Sequence, residues 1–223
     1  MKDNTLNLLG ITIQKLFNYT NDKLGRIARC VYRNNIERLK LKNTDFTIFS
    51  QNCIGSIMYH DLGQPFKSPT INLLITPKDF IRFMGKIQWY LKQPIIFIKS
   101  DKTYPVGKIG EIEIKFIHYH SEDEVLNSWK RRMDRINWNN VFVLCCDEGL
   151  EYDDMVEYDH LPFKNKILFM HKNEPSIKCG INAKIFKTHT DARLLEFCNI
   201  FGKRYYQRYV DYIKWLNEGN YWV

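Results

Sequence analysis

Residues 141–146 read VFVLCC, six apolar residues between the polar stretches NWNN and DEG. A strand with one face in water alternates apolar and polar side chains. An unbroken apolar run therefore predicts a strand covered on both faces, as in the middle of a parallel sheet. Working outward, short β-like runs alternate with helical patterns. DFTIFS (45–50), INLLIT (71–76), PIIFIK (94–99), EIEIKFIHYH (111–120), KILFMHK (166–172) and NAKIFK (182–187) read as strands. In 111–120, Ile112, Ile114 and Phe116 alternate with charged residues, which marks a half-exposed strand. Helical spacing covers 54–62, stopped by Gly63, and 77 to about 91, where Thr76 is the cap and Pro77 the first position. Ser121 and Glu124 form an S-x-x-E capping box before the helix EDEVLNSWKRRMDRI, and KRYYQRYVDYIKWL (203–216) is helical with an aromatic face. The class predicted is α/β: a layered, mostly parallel sheet with flanking helices.

Ahead of that domain, residues 5–42 carry apolar residues at three- and four-residue steps, and the polar break between Asn18 and Asn21 predicts two helices. The division expected is a helical N-terminal segment, 1–43, and an α/β domain, 44–223. The second helix is basic, with Arg26, Arg29, Arg33, Arg38, Lys40 and Lys42. It fits an ordinary solvated helix, or one that lies on a membrane surface or a partner.

The 223 residues, 44% of them hydrophobic, suffice for one sizeable core. No apolar run reaches the roughly 18 residues of a membrane span, and the first residues lack an apolar leader, so a cytoplasmic protein is expected. The six cysteines show no C-x-x-C spacing and read as reduced, buried thiols. A formal charge of +8 favours anionic partners, but no long basic block, zinc-finger spacing or RNA-binding signature occurs, so nucleic acid is not expected.

Ligands of open α/β sheets bind beyond the carboxyl ends of the strands. The residues that follow the expected strands are Ser50, Asn52 and Cys53; His118 and His120; Asp147; and His171 with Lys172. Cys53, at a helix start, is expected to have a lowered pKa, with His118 or His120 to activate it and Asp147 or Glu148 to orient the ring. In the alternative reading Ser50 or Asn52 caps the helix and the turn offers N–H groups to an anion. Trp129 and Arg132 share one side of their helix, so Arg132 could reach a phosphate or pair with a nearby acid. A single D-E-G is a weak metal motif and no metal site is expected; GKIG (107–110) is a turn rather than a phosphate loop.

The motifs FTIFSQNCIGSIMYHDLGQPFKSPTINLLITPKDFIRFM, YPVGKIGEIEIKFIHYHSEDEVLNSWKRRMDRINW, LPFKNKILFMHK and GKRYYQRYVDYIKWLN occur in that order over roughly residues 44 to 217. In these the chain resembles a bacterial family of unknown function found in exopolysaccharide and capsule gene clusters. The resemblance implies an α/β fold and places Ser50, Asn52, Cys53, Gly55, Trp129, Arg132 and the stretch Arg135–Trp138 in the family pattern. Where relatives carry an S-D-R-D-G-like stretch this chain has CCDEG. The resemblance brings no established reaction and names no cofactor. The function expected is a transferase acting on an anionic glycan precursor, nucleotide- or lipid-linked, which the positive charge fits. Ser50, Asn52, Trp129, Arg132, His171 and Lys172 would bind it, and Cys53, His118, His120 and Asp147 would carry the chemistry. The alternative is a noncatalytic module that binds glycans or docks on polysaccharide-assembly proteins.

Overall fold

A computed structural model of the chain describes residues 17–185 and 192–219. The first element, α1, is one helix over 17–40 that includes a π-helical turn at Arg29–Arg33 and a final α-helical stretch, Asn34–Lys40. Residues 18–21 are helical, so the expected break is not there. Asp22, just beyond it, anchors the helix by accepting the Cys198 N–H at 2.8 Å. Strand β1 (Thr47–Ser50) leads through a tight turn into α2 (Ile54–Leu62), which ends at Gly63. Helix α3 (Pro77–Gly85) opens as the sequence predicts, with Thr76 Oγ1 accepting from Asp79 N at 3.2 Å. A break at Lys86 separates it from the short α4 (Ile87–Tyr90).

Three short strands follow: β2 (Ile96–Phe97), β3 (Val106–Ile109) and β4 (Ile112–Lys115). They pair antiparallel as a separate meander. The run expected as a strand over 111–120 is thus a four-residue strand, and 116–120 form the turn into α5 (Glu122–Met133). Ser121 caps α5 by accepting from Glu124 N at 3.2 Å, and Glu124 answers by accepting the His120 N–H at 2.9 Å. The chain then gives β5 (Val141–Cys146), α6 (Tyr152–Asp159), β6 (Asn165–Met170), β7 (Gly180–Asn182) and α7 (Tyr212–Glu218). Of the expected strand 182–187 only Asn182 is in β7, and residues 186 and 187 lie outside the described residues. The expected C-terminal helix is a 3₁₀ turn, Tyr205–Arg208, followed by α7.

INLLIT is not a strand. Asn72 sits at φ +65°, which breaks the extended backbone. Leu74 alone forms a bridge, exchanging hydrogen bonds of 2.8 and 3.0 Å with Lys115. Ile71, Leu73 and Ile75 are buried all the same, so the alternation records burial without a ladder.

The main sheet has the order β1-β5-β6-β7 and all its pairs are parallel. Every residue of β5 is buried. Val143 and Cys145 enter one core with α3, α5 and α6; Phe142, Leu144 and Cys146 enter the other with α2 and α7. That is why VFVLCC carries no polar residue. On the second face the Trp215 ring meets Phe142 edge-on at 4.9 Å. Among the described residues no helix is long and apolar enough to cross a membrane.

Candidate functional site

Because β1, β5 and β6 run parallel, Asn52, Asp147 and His171 must leave the sheet at the same edge. A cleft of about 1020 Å³ opens there. One wall is the turn after β1, with Asn52 and Cys53, together with His118 from the loop after β4 and Glu148 from the end of β5. The facing wall comes from α1 and the segment 192–204, which contribute Arg26, Arg29, Arg193, Glu196 and Arg204.

The turn is built by its own side chains. Ser50 Oγ accepts from Gly55 N at 3.2 Å, and Asn52 Oδ1 accepts from Ile54 N at 3.1 Å. Both residues cap α2, so two of the N–H groups expected to receive an anion are already taken. Asn52 also donates to Cys146 Sγ at 3.3 Å, which ties the turn to β5. Cys53 then stands at the N-cap position with its Sγ 3.6 Å from His118 Nε2. The expectation of a lowered thiol pKa is overturned. Burial and the nearby Glu196 charge, opposed by Arg193, push Cys53 up to about 11. Desolvation of a half-buried thiolate outweighs the dipole of a nine-residue helix.

This has a measurable consequence. With a thiol pKa of about 11 against an ordinary 9.0, the thiolate fraction at neutral pH falls about a hundred-fold. Iodoacetamide should label Cys53 about a hundred times more slowly than a small-molecule thiol, with a rate that climbs until pH 11 is approached. Labelling as fast as the free thiol would show that the ionised form is stabilised in the cleft. Exposed Cys30, which departs from the expectation of buried thiols, is the internal reference, read by peptide mapping.

The profile of a family described as a domain of unknown function, DUF1919, matches residues 26–217. The chain belongs to the DUF1919 family. It is also similar to a protein of Haemophilus influenzae described as uncharacterized, 42% identical over 181 residues that cover 80% of this chain and 87% of the relative. Neither description carries an activity, so roles in this DUF1919 chain rest on its geometry.

Asp147 and His171 form a second pair at the same sheet edge. Asp147 Oδ2 accepts from His171 N at 2.9 Å and lies 2.6 Å from Nδ1. Neither residue lines the cleft, and Asp147 orients His171 rather than the histidine near Cys53. Lys172 is exposed beyond the end of β6. His120 is exposed at the start of α5, away from the cleft. Trp129 is a core residue, packed edge-on against Phe83 and Phe116. Arg132 is buried: it donates to Ile71 O at 2.8 Å and to the Tyr119 hydroxyl, and its guanidinium lies 5.1 Å from the Phe66 ring centroid. Burial lowers its pKa, and neither it nor Trp129 lines the cleft. Among the described residues no group of three or more His, Cys, Asp or Glu is placed to hold a metal ion.

The DUF1919 chain also carries a buried charge network behind the cleft. Arg204 makes a two-pronged contact with Asp61, Nε to Oδ2 at 2.8 Å and Nη2 to Oδ1 at 3.1 Å. Burial pulls the Arg204 guanidinium down, and the hydrogen bonds and charge of Asp61 more than offset it, so its pKa ends above the ordinary value. Arg29 Nε lies 2.9 Å from Asp61 Oδ2, and Arg29 Nη2 donates to Glu37. Glu37 in turn accepts from Gln207 at 2.8 Å and Tyr212 at 2.6 Å. This frame fixes the far wall of the cleft. The available signal was the spacing 29, 34, 37 of polar residues in α1, legible only once a five-residue step is allowed.

Proposed function

We propose that this DUF1919 protein is a transferase that acts on an anionic glycan precursor, nucleotide- or lipid-linked, by acyl transfer through Cys53. The observation that carries the reading is the 3.6 Å approach of Cys53 Sγ to His118 Nε2 in a cleft whose facing wall holds arginines. Arg193, exposed, and Arg26, exposed and paired with Asp22 at 2.7 Å, supply the charge for a phosphate or pyrophosphate. The resemblance to proteins of exopolysaccharide and capsule clusters supports the glycan class.

The thiol is protonated at rest, so it reacts only as its proton leaves. Sγ bonds to the carbonyl carbon of an acyl thioester while His118 Nε2 takes the thiol proton. The intermediate collapses, the donor's carbon–sulfur bond breaks, and the departing thiolate takes that proton from His118. A hydroxyl of the glycan precursor then loses its proton to His118 and attacks the Cys53 thioester. The ester forms, and Cys53 leaves and is reprotonated. No group is oxidised or reduced.

The test is intact-protein mass spectrometry after incubation with acetyl-coenzyme A. An acetyl adduct that maps to Cys53 and is absent in Cys53→Ala and His118→Ala supports the reading; an unmodified wild-type chain overturns it. One observation favours a second reading, a noncatalytic glycan-binding module: the protonated resting thiol. That reading expects nucleotide sugars to raise Tm by several degrees, as saturating ligands do, with no adduct and no change on replacing Cys53.

A further inference from the structure

Helix α1 faces the body with its polar side. Asp22, Gly25, Arg29, Asn34 and Glu37 are buried, at steps of three, four, five and three residues. Its apolar side faces solvent. Leu24, Ile27, Val31, Ile36 and Leu39 follow the same steps, and Val31 is 70% and Leu39 88% exposed. The shared five-residue step falls on the π-helical turn, where the Asn34 N–H reaches Arg29 O. The extra residue of that turn shifts both faces together, so the apolar stripe stays continuous across it. Beside the stripe Phe201 is also exposed, with its carbonyl accepting the Tyr32 hydroxyl at 2.7 Å. In the sequence, Leu6, Leu9, Ile13 and Leu16 continue the apolar spacing; they lie outside the described residues.

An apolar stripe of this length on the outside of a protein marks a contact surface. The charges beside it select the occupant. Over residues 17–42 the exposed charges, Lys23, Arg26, Arg38, Lys40 and Lys42, are all cationic, and of these Arg26 pairs with Asp22. The two acids of that segment, Asp22 and Glu37, are buried in ion pairs. A second copy would bring like charges against like. An anionic lipid surface accepts both the apolar stripe and the cations around it.

We propose that the exposed face of α1, with Phe201 beside it, docks on an anionic membrane surface. Arg29 and Asn34, on the opposite, body-facing side of the same helix, line the cleft, so docking sets the cleft across α1 from the bilayer. The docking stands apart from the chemistry assigned to the cleft, since an adduct at Cys53 is measured without lipid.

The experiment is flotation of the full chain with vesicles of phosphatidylcholine alone and with vesicles of equal parts phosphatidylcholine and phosphatidylglycerol. The chain should float with the anionic vesicles only, and high salt should release it. Lys40→Ala combined with Lys42→Ala should lower the partition coefficient about thirty-fold. Ile27→Glu with Val31→Glu should abolish flotation; Leu39→Glu, at the exposed helix end, repeats the test if that variant fails to fold. Absence of flotation, equal flotation on neutral vesicles, or flotation unaffected by the glutamates overturns the proposal. So does a wild-type dimer that the glutamates convert to a monomer, which would assign the face to a second copy.

Discussion

Asp61→Ala should lower the free energy of unfolding by about 3–5 kcal/mol and Tm by roughly 10–15 °C. Asp61 is on the last turn of α2 with its side chain 2% exposed, and it faces two arginines that are themselves buried. Arg29 and Arg204 are balanced by Asp61 and Glu37, two cations against two carboxylates. Removing one carboxylate leaves a net buried positive charge with no water to solvate it. The cost is set by that orphaned charge rather than by the hydrogen bonds lost. The Arg204 guanidinium would keep only its bond to Glu196 O. Urea unfolding read at constant m separates this from a change in compactness. A comparison site is Asp45, which pairs with Lys67 at 2.7 Å on the surface. Asp45→Ala should leave the urea midpoint where it is, because an exposed pair is screened by solvent. Equal losses at the two positions would show that the buried network does not hold the cleft wall in place.

How much of this was legible can be seen residue by residue. VFVLCC announced its double burial because a parallel strand between two helical layers admits no polar side chain. The caps at Thr76 and Ser121 were legible because capping is local, made within three residues. The meeting of Cys53 with a histidine was within reach, since both follow strand ends; which histidine was not. The strand that precedes them stops at Lys115, and the turn that follows sends His118 into the cleft and His120 out of it. INLLIT misled because alternating burial and strand pairing usually coincide, and at Asn72 a left-handed backbone separates them. The Arg204–Asp61 pair spans 143 positions, and no local pattern signals a contact at that range. Arg132 drew attention as a ligand group, but it is buried away from the cleft, with Nη1 donating to the Ile71 carbonyl and the Tyr119 hydroxyl.

The joint between α1 and the rest of the chain makes a second large effect measurable. Gly25→Ala should destabilise the protein by about 3 kcal/mol, at the upper end for overpacking, although helix propensity alone favours alanine by ~1 kcal/mol. A Cβ at Gly25 would lie 2.0 Å from Asn199 O and 2.5 Å from Cys198 Cβ. The closest obstruction is backbone, so no rotamer change relieves it; α1 itself must move. Movement breaks the bonds that seat the helix: Cys198 N to Asp22 at 2.8 Å and Arg29 Nη1 to Gly202 O at 2.6 Å. Nor has the opposite side room to spare, because Gly202 holds φ +74° and a Cβ there would lie 2.9 Å from Arg29 N. Steric collision across a packed joint outweighs a propensity term that acts within one helix. Gly85→Ala sets the scale: it is also helical, and its Cβ would meet only Leu161 at 3.7 Å, an ordinary contact. That substitution should be neutral or stabilising in urea, while Gly25→Ala shifts the midpoint down and opens α1 to trypsin after Arg26. If both alanines raise stability, α1 does not approach residues 198–202 as closely as described, and the wall of the cleft that it forms would have to be redrawn.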